Sequence, residues 1–113
     1  MSITIAKDST EEVHKYTRRI EFDDAAPILL ERRYSHGGKE FIPDEASAGW
    51  NHGEPIQDIT VEGYVLKKDR TPGQQRAQLR YETPASSNYG KQWGWDPAPE
   101  WLLELFGING GNN

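Results

Sequence analysis

Two runs of alternating apolar residues, Ile59-Val61-Val65 and Ala77-Leu79-Tyr81, restrict this chain more than any other feature of its sequence. A period of two places the side chains of each run on one face of a strand, so both read as strands with one buried face. Gly63 keeps the phase of the first run. Between them, "KKDRTPGQQ" offers Thr-Pro-Gly, where Pro72 pre-sets one turn dihedral and Gly73 accepts positive φ. Residues 59–81 are therefore expected to form a β-hairpin turning at Thr71–Gly73. A hairpin is at best marginal alone, so the rest of the chain must extend it into a sheet.

Further strands are legible on either side. "SITIAK" alternates Ile3 with Ile5, and Tyr16, Ile20 and Phe22 share one face of an extended "YTRRIEF". The stretch from Ser9 also has capping-box spacing to Glu12 and helical intervals at Val13, Tyr16 and Ile20. The Tyr, Thr and Ile content favours the strand for 16–22. "DDAAP" reads as a turn, "ILLERRY" as the next strand, and "SHGGKEF" as a second hairpin turn leading into a short strand. "PDEASAGWNHGEP", residues 43–55, reads as a loop because it has two prolines and several small polar residues. Near the C-terminus, "WDPAPEWLLELFG" reads as a helix of about ten residues, with Asp96 as cap, Pro97 at the first helical position and Gly107 just past its end. Trp101, Leu102, Leu103, Leu105 and Phe106 cover most of its circumference, leaving a stripe of Glu100 and Glu104. Such a helix must pack against a sheet or an interface.

These elements predict an α+β domain: an antiparallel sheet of four to six strands, a meander or a partly closed barrel, with one short C-terminal helix packed on it. Residues 1–108 form a single small domain on this reading, and 109–113 a flexible tail. The apolar fraction is low at 35%, but four Trp, five Tyr and three Phe argue against a disordered chain. With no cysteine there is no disulfide framework, no thiolate metal site and no cysteine nucleophile. No apolar run reaches membrane-spanning length, and "MSITIAKDST" lacks the pattern of a signal peptide, so the expected compartment is the cytoplasm.

The charge pattern is the strongest functional signal. Lys67, Lys68, Arg70, Arg76 and Arg80 fall in the middle of this hairpin, and between Lys67 and Arg80 the single acid is Asp69, in a chain whose net charge is −5. The register turns Arg76, Gln78 and Arg80 away from the Leu79 face. Just upstream, Glu40, Asp44, Glu45, Glu54, Asp58 and Glu62 form a stretch without a single Lys or Arg. A basic hairpin beside an acidic stretch steers association with a charged protein partner or with a second copy, as in a two-fold homodimer. Alternatively the two segments neutralise each other within the chain. A nucleic-acid interface is the second choice, because the hairpin offers phosphate-binding groups while the chain as a whole repels phosphate. Trp93 and Trp95 alternate within an aromatic segment, and tryptophan is a common anchor of protein interfaces. The expected partner-binding residues are thus Lys67, Lys68, Arg70, Arg76, Arg80, Trp93 and Trp95.

Signals for chemistry are weaker. His14, His36 and His52 have no metal-ligand spacing, although Asp44, Glu54 or Asp58 would supply carboxylates if they converged. Ser35, Ser86 and Ser87 lie outside any nucleophile-elbow pattern, and neither the P-loop nor the dinucleotide fingerprint is present. The neighbouring carboxylate pairs Glu11-Glu12 and Asp23-Asp24 point to opposite faces if extended. The sequence therefore predicts no catalytic residue, metal or cofactor. It favours a non-enzymatic, acidic binding module over a metal-dependent enzyme.

Overall fold

The computed structural model describes residues 3–12, 15–30, 39–91 and 94–108. One sheet of seven strands dominates: β1 (Thr4–Glu12), β2 (Lys15–Asp23), β3 (Ile28–Leu30), β4 (Lys39–Asn51), β5 (Asp58–Leu66), β6 (Pro72–Glu82) and β7 (Asp96–Pro97). Among the described residues a single helix, α1 (Glu100–Leu105), follows. The order β1-β2-β4-β5-β6-β7 is a meander closed by one parallel pairing, β6 with β7. β3 pairs with Lys39–Phe41 of β4, on the flank where β2 pairs with Glu45–Asn51. β2 and β3 thus act as one strand interrupted at Asp24–Pro27, where Asp24 takes φ 63° and Pro27 has no N–H to give a ladder. Among the described residues the sheet is open rather than a barrel, and its seven strands exceed the expected four to six by one.

One face of the sheet carries the core. Ile20 and Phe22 of β2, Phe41, Ala46 and Ala48 of β4, Ile59, Val61 and Val65 of β5, and Ala77, Leu79 and Tyr81 of β6 are all buried. Leu102, Leu103 and Phe106 close the cluster from α1 and its C-cap, and the half-buried Trp101 meets Phe22 edge-on at 6.0 Å. Burying the Ile, Val, Leu and Phe side chains of this cluster contributes about 1.5–3 kcal/mol each, which explains why so hydrophilic a chain folds around few anchors. The 59–81 hairpin and the strand at 16–22 occur as expected, and the helix leaves Glu100 and Glu104 exposed. Gly107 at φ 70° ends it, with Gly107 N–H donating to the Glu104 carbonyl and Ile108 N–H to that of Leu103. This is the paired closure that a C′ glycine permits.

Three local expectations need correction. The segment from Pro43 to Asn51 is strand, not loop, and the loop between β4 and β5 spans only 52–57. A bulge between Pro43 and Glu45 shifts the buried phase from 41 and 43 to 46 and 48. The alternation therefore breaks at the proline, which tolerates that position because a bulge frees it from donating. The hairpin turn lies at Lys67–Thr71, not Thr71–Gly73. Lys67 N–H donates to the Thr71 carbonyl, Arg70 sits at φ 70°, and Asp69 Oδ1 accepts from both Thr71 N–H (3.1 Å) and Thr71 Oγ1 (2.6 Å). That aspartate-built turn outcompetes Pro-Gly, whose residues enter β6. Finally, α1 begins at Glu100 with Pro99 as N-cap and has six residues. Asp96 and Pro97 instead pair with Tyr81 and Glu82, and Ala98 N–H donates to the Glu82 carbonyl at 2.9 Å. The proposed turn around Gly37–Gly38 and the tail at 109–113 lie outside the described residues.

Candidate protein-interaction face

The face of the sheet opposite α1 is where the strand register assembles the charges. Residues paired across an antiparallel ladder share a face, so Glu21, Glu45, Glu62 and Gln78 form one row across β2, β4, β5 and β6. Arg19, Ser47, Thr60 and Arg80 form the next. The bulge in β4 adds Asp44, whose carboxylate reaches β6.

Arg76 is the most constrained cation on this face. Its Nη1 and Nη2 donate to the two oxygens of Asp44 at 3.1 and 2.9 Å, and its Nε donates to Glu62 at 2.9 Å. The guanidinium lies 4.4 Å above the Tyr64 ring, directly opposite in the register. The hydrogen bonds to Asp44, ahead of lesser contributions from Tyr64 and Glu62, hold its pKa far above the ordinary arginine value. Arg80 donates to Asp58 at 2.7 Å and lies 5.5 Å over the Trp95 ring. Arg70, at the turn, bonds Glu40. Arg19 approaches Glu45 at 3.6 Å. Four acids of the upstream stretch thus meet three arginines of the hairpin inside one molecule.

Lys67 and Lys68 are exposed at the hairpin tip, where they rim an open groove of about 910 Å³ that also takes in Leu66, Pro72 and Gln74. Trp95 is half-buried and Trp93 lies outside the described residues. The structure therefore gathers Arg76, Arg80 and Trp95 on one face and sets Lys67, Lys68 and Arg70 at its end. Tyr64 joins that face through its cross-strand pairing with Arg76.

The segment that presents Trp95 is anchored by β6. Thr83 Oγ1 donates to the Ile56 carbonyl at 2.6 Å, and Ser86 Oγ donates to Glu82 Oε1 at 2.5 Å. Glu82 itself is buried beneath Gly94, and its Oε2 has no hydrogen-bond partner among the described residues.

Elsewhere, Tyr16 stacks on both Trp50 and His52, each at 5.5 Å between ring centroids. Among the described residues no group of three His, Asp or Glu side chains converges as metal ligands, and His14 and His36 lie outside them. No described helix is long and apolar enough to cross a membrane. Comparison of the chain with protein-family models, curated proteins and solved structures found no match.

Proposed function

We propose that this protein is a non-enzymatic binding module that engages a protein partner through the helix-free face of its sheet and the adjoining hairpin tip. The observation that carries this reading is the pair of arginine–aromatic stacks, Arg76 on Tyr64 and Arg80 on Trp95. Arg, Tyr and Trp are the residue types that dominate interface energetics, and here their neighbours hold them in place. A surface whose long side chains are ordered before contact loses less entropy on association. Lys67 and Lys68 supply positive charge at one end, where Arg70 is already held by Glu40, and this charge steers an acidic partner toward the tip.

The same geometry counts against phosphate binding as the main role. Each guanidinium would have to leave a carboxylate before gripping a nucleic-acid backbone, with that acid remaining close by to repel it. The test is affinity capture from extracts of the native cells, with and without nuclease. It compares the wild type with Trp95→Ala, with Lys67→Glu/Lys68→Glu, and with Glu104→Ala on the far face as control. Proteins retained by the wild type and the control but lost from both variants, regardless of nuclease, support the reading. Capture unchanged by either variant refutes it, and capture abolished by nuclease moves the assignment to nucleic acid.

A further inference from the structure

The edge strand β1 carries an interaction surface that the face described above does not use. Every residue from Thr4 to Glu11 is exposed, and among the described strands β1 pairs only with β2. Its one irregularity lies between Ile5 and Lys7, so the ladder from Lys7 to Glu12 is regular. Such an edge offers a row of backbone donors and acceptors to another strand. Charges on an edge ordinarily blunt that tendency, and Lys7, Asp8 and Glu11 are charged.

Their spacing does more than blunt it. If a second copy pairs antiparallel about a two-fold axis perpendicular to the sheet, opposed residues must share a face, so the sum of their numbers is even. Centring the axis on Ser9 sets Lys7 opposite Glu11 of the second copy, and Glu11 opposite its Lys7. Asp8, whose carboxylate Arg18 already holds, then opposes the uncharged Thr10 on both sides of the axis. Registers centred on Lys7, Asp8 or Glu11 instead oppose like charges. One centred on Thr10 carries Lys7 past the end of the ladder, and one centred on Ala6 falls on the irregularity between Ile5 and Lys7. We infer that β1 is a self-recognition edge, through which two copies join their sheets in the one register centred on Ser9. Opposite charges in the chosen register and like charges in its neighbours are the means by which paired strands reject slippage.

Only about five residue pairs take part, so the contact is well below the size of a stable interface and the dimer is reversible. Lys7 and Glu11 lie at the margin of the helix-free face, opposite Glu21 and Thr17 in the register, but the partner-binding reading uses neither of them.

The test is sedimentation equilibrium from about 10 µM to about 1 mM, the range in which so small an interface associates. The wild type should pass from monomer toward dimer across that range. Lys7→Glu alone, or Glu11→Lys alone, replaces both attractive pairs by repulsive ones and should weaken association at least about tenfold. Both substitutions fall on exposed side chains, so circular dichroism should show an unchanged fold. An equimolar mixture of the two variants restores opposite charges at both positions and should dimerise like the wild type. A wild type that stays monomeric, a single variant that dimerises undiminished, or a mixture that stays monomeric overturns the inference.

Discussion

Gly63→Ala should be among the most damaging single-methyl changes in this protein, and the reason lies in how β5 meets the bulge of β4. Gly63 pairs with Pro43, which has no N–H to hold the strands at ladder spacing, and the two backbones approach closely there. A Cβ on Gly63 would lie 2.6 Å from the Ile42 carbonyl carbon and 2.7 Å from the Pro43 Cα, and nearer still to the Ile42 carbonyl oxygen. All three atoms are backbone, so no side chain can swing aside, and β4 or β5 must move by about 1 Å. Phe41 and Val61, both fully packed in the core, flank this point and resist the movement. Overpacking ordinarily costs about 1–3 kcal/mol, and a clash confined to backbone belongs at the upper end, about 3 kcal/mol. In a domain of this size that corresponds to a fall in Tm of about 10 °C. Gly49→Ala is the matched control. Its Cβ would meet only the Tyr16 carbonyl oxygen at 3.6 Å, an ordinary contact, in a strand position that lacks positive φ. There the alanine should be neutral or stabilise by up to about 1 kcal/mol, because it restricts the unfolded chain. Urea unfolding of both variants, with m-values compared, reads the difference. A Gly63→Ala cost below about 1 kcal/mol, or equal costs at the two sites, would refute the close approach of β4 and β5.

Three further outcomes are expected. Leu102→Ala, which truncates a fully buried side chain of α1, should cost about 2–5 kcal/mol by denaturant unfolding; a near-neutral result would show that the helix does not seal the core. Gly94→Ala should cost about 1–3 kcal/mol and increase the exposure of Trp95 to fluorescence quenchers, because its Cβ would press on Glu82 and on the Asn88 carbonyl oxygen, 2.5 Å away. Asp8 accepts a bidentate pair of hydrogen bonds from Arg18, which lowers its pKa below the ordinary 3.8. The folded state then binds that proton more weakly than the unfolded state. The stabilisation is present above the ordinary value and is lost as pH falls through the lowered one, so Asp8→Asn should flatten the decline in stability as pH falls below the ordinary carboxylate value.

How much of this was legible in the sequence differs from element to element, for physical reasons. β5 and β6 could be read because Ile59, Val61 and Val65, with Ala77, Leu79 and Tyr81, alternate without interruption over a single buried face. β4 could not. Its bulge flips the buried phase after Pro43, and the residues it then buries are Ala46 and Ala48, too small to mark a strand by composition. The turn went to Asp69 rather than to Pro72-Gly73 because one side chain supplied two hydrogen bonds locally, a contribution that residue frequencies do not weigh. The clustering of opposite charge was visible, but which arginine meets which acid depends on register. Arg76 reaches Asp44, thirty-two positions away, only because the bulge points that carboxylate toward β6. Trp95 was expected on a contact surface from its type and its alternation with Trp93, whereas its stack on Arg80 requires the return of the chain along β7.

The account turns on a guanidinium that its own molecule holds in place, and nitrogen-detected NMR of the arginine side chains tests this most directly. Arg76 should show a slowly exchanging Nε–H and hindered rotation of its terminal nitrogens, since all three nitrogens are bonded and the Tyr64 ring covers one side. Asp44→Asn should release that restriction while leaving the fold intact. An Arg76 signal that rotates and exchanges as fast as a free arginine would contradict the account, because the face would then be mobile and its arginines available to any phosphate.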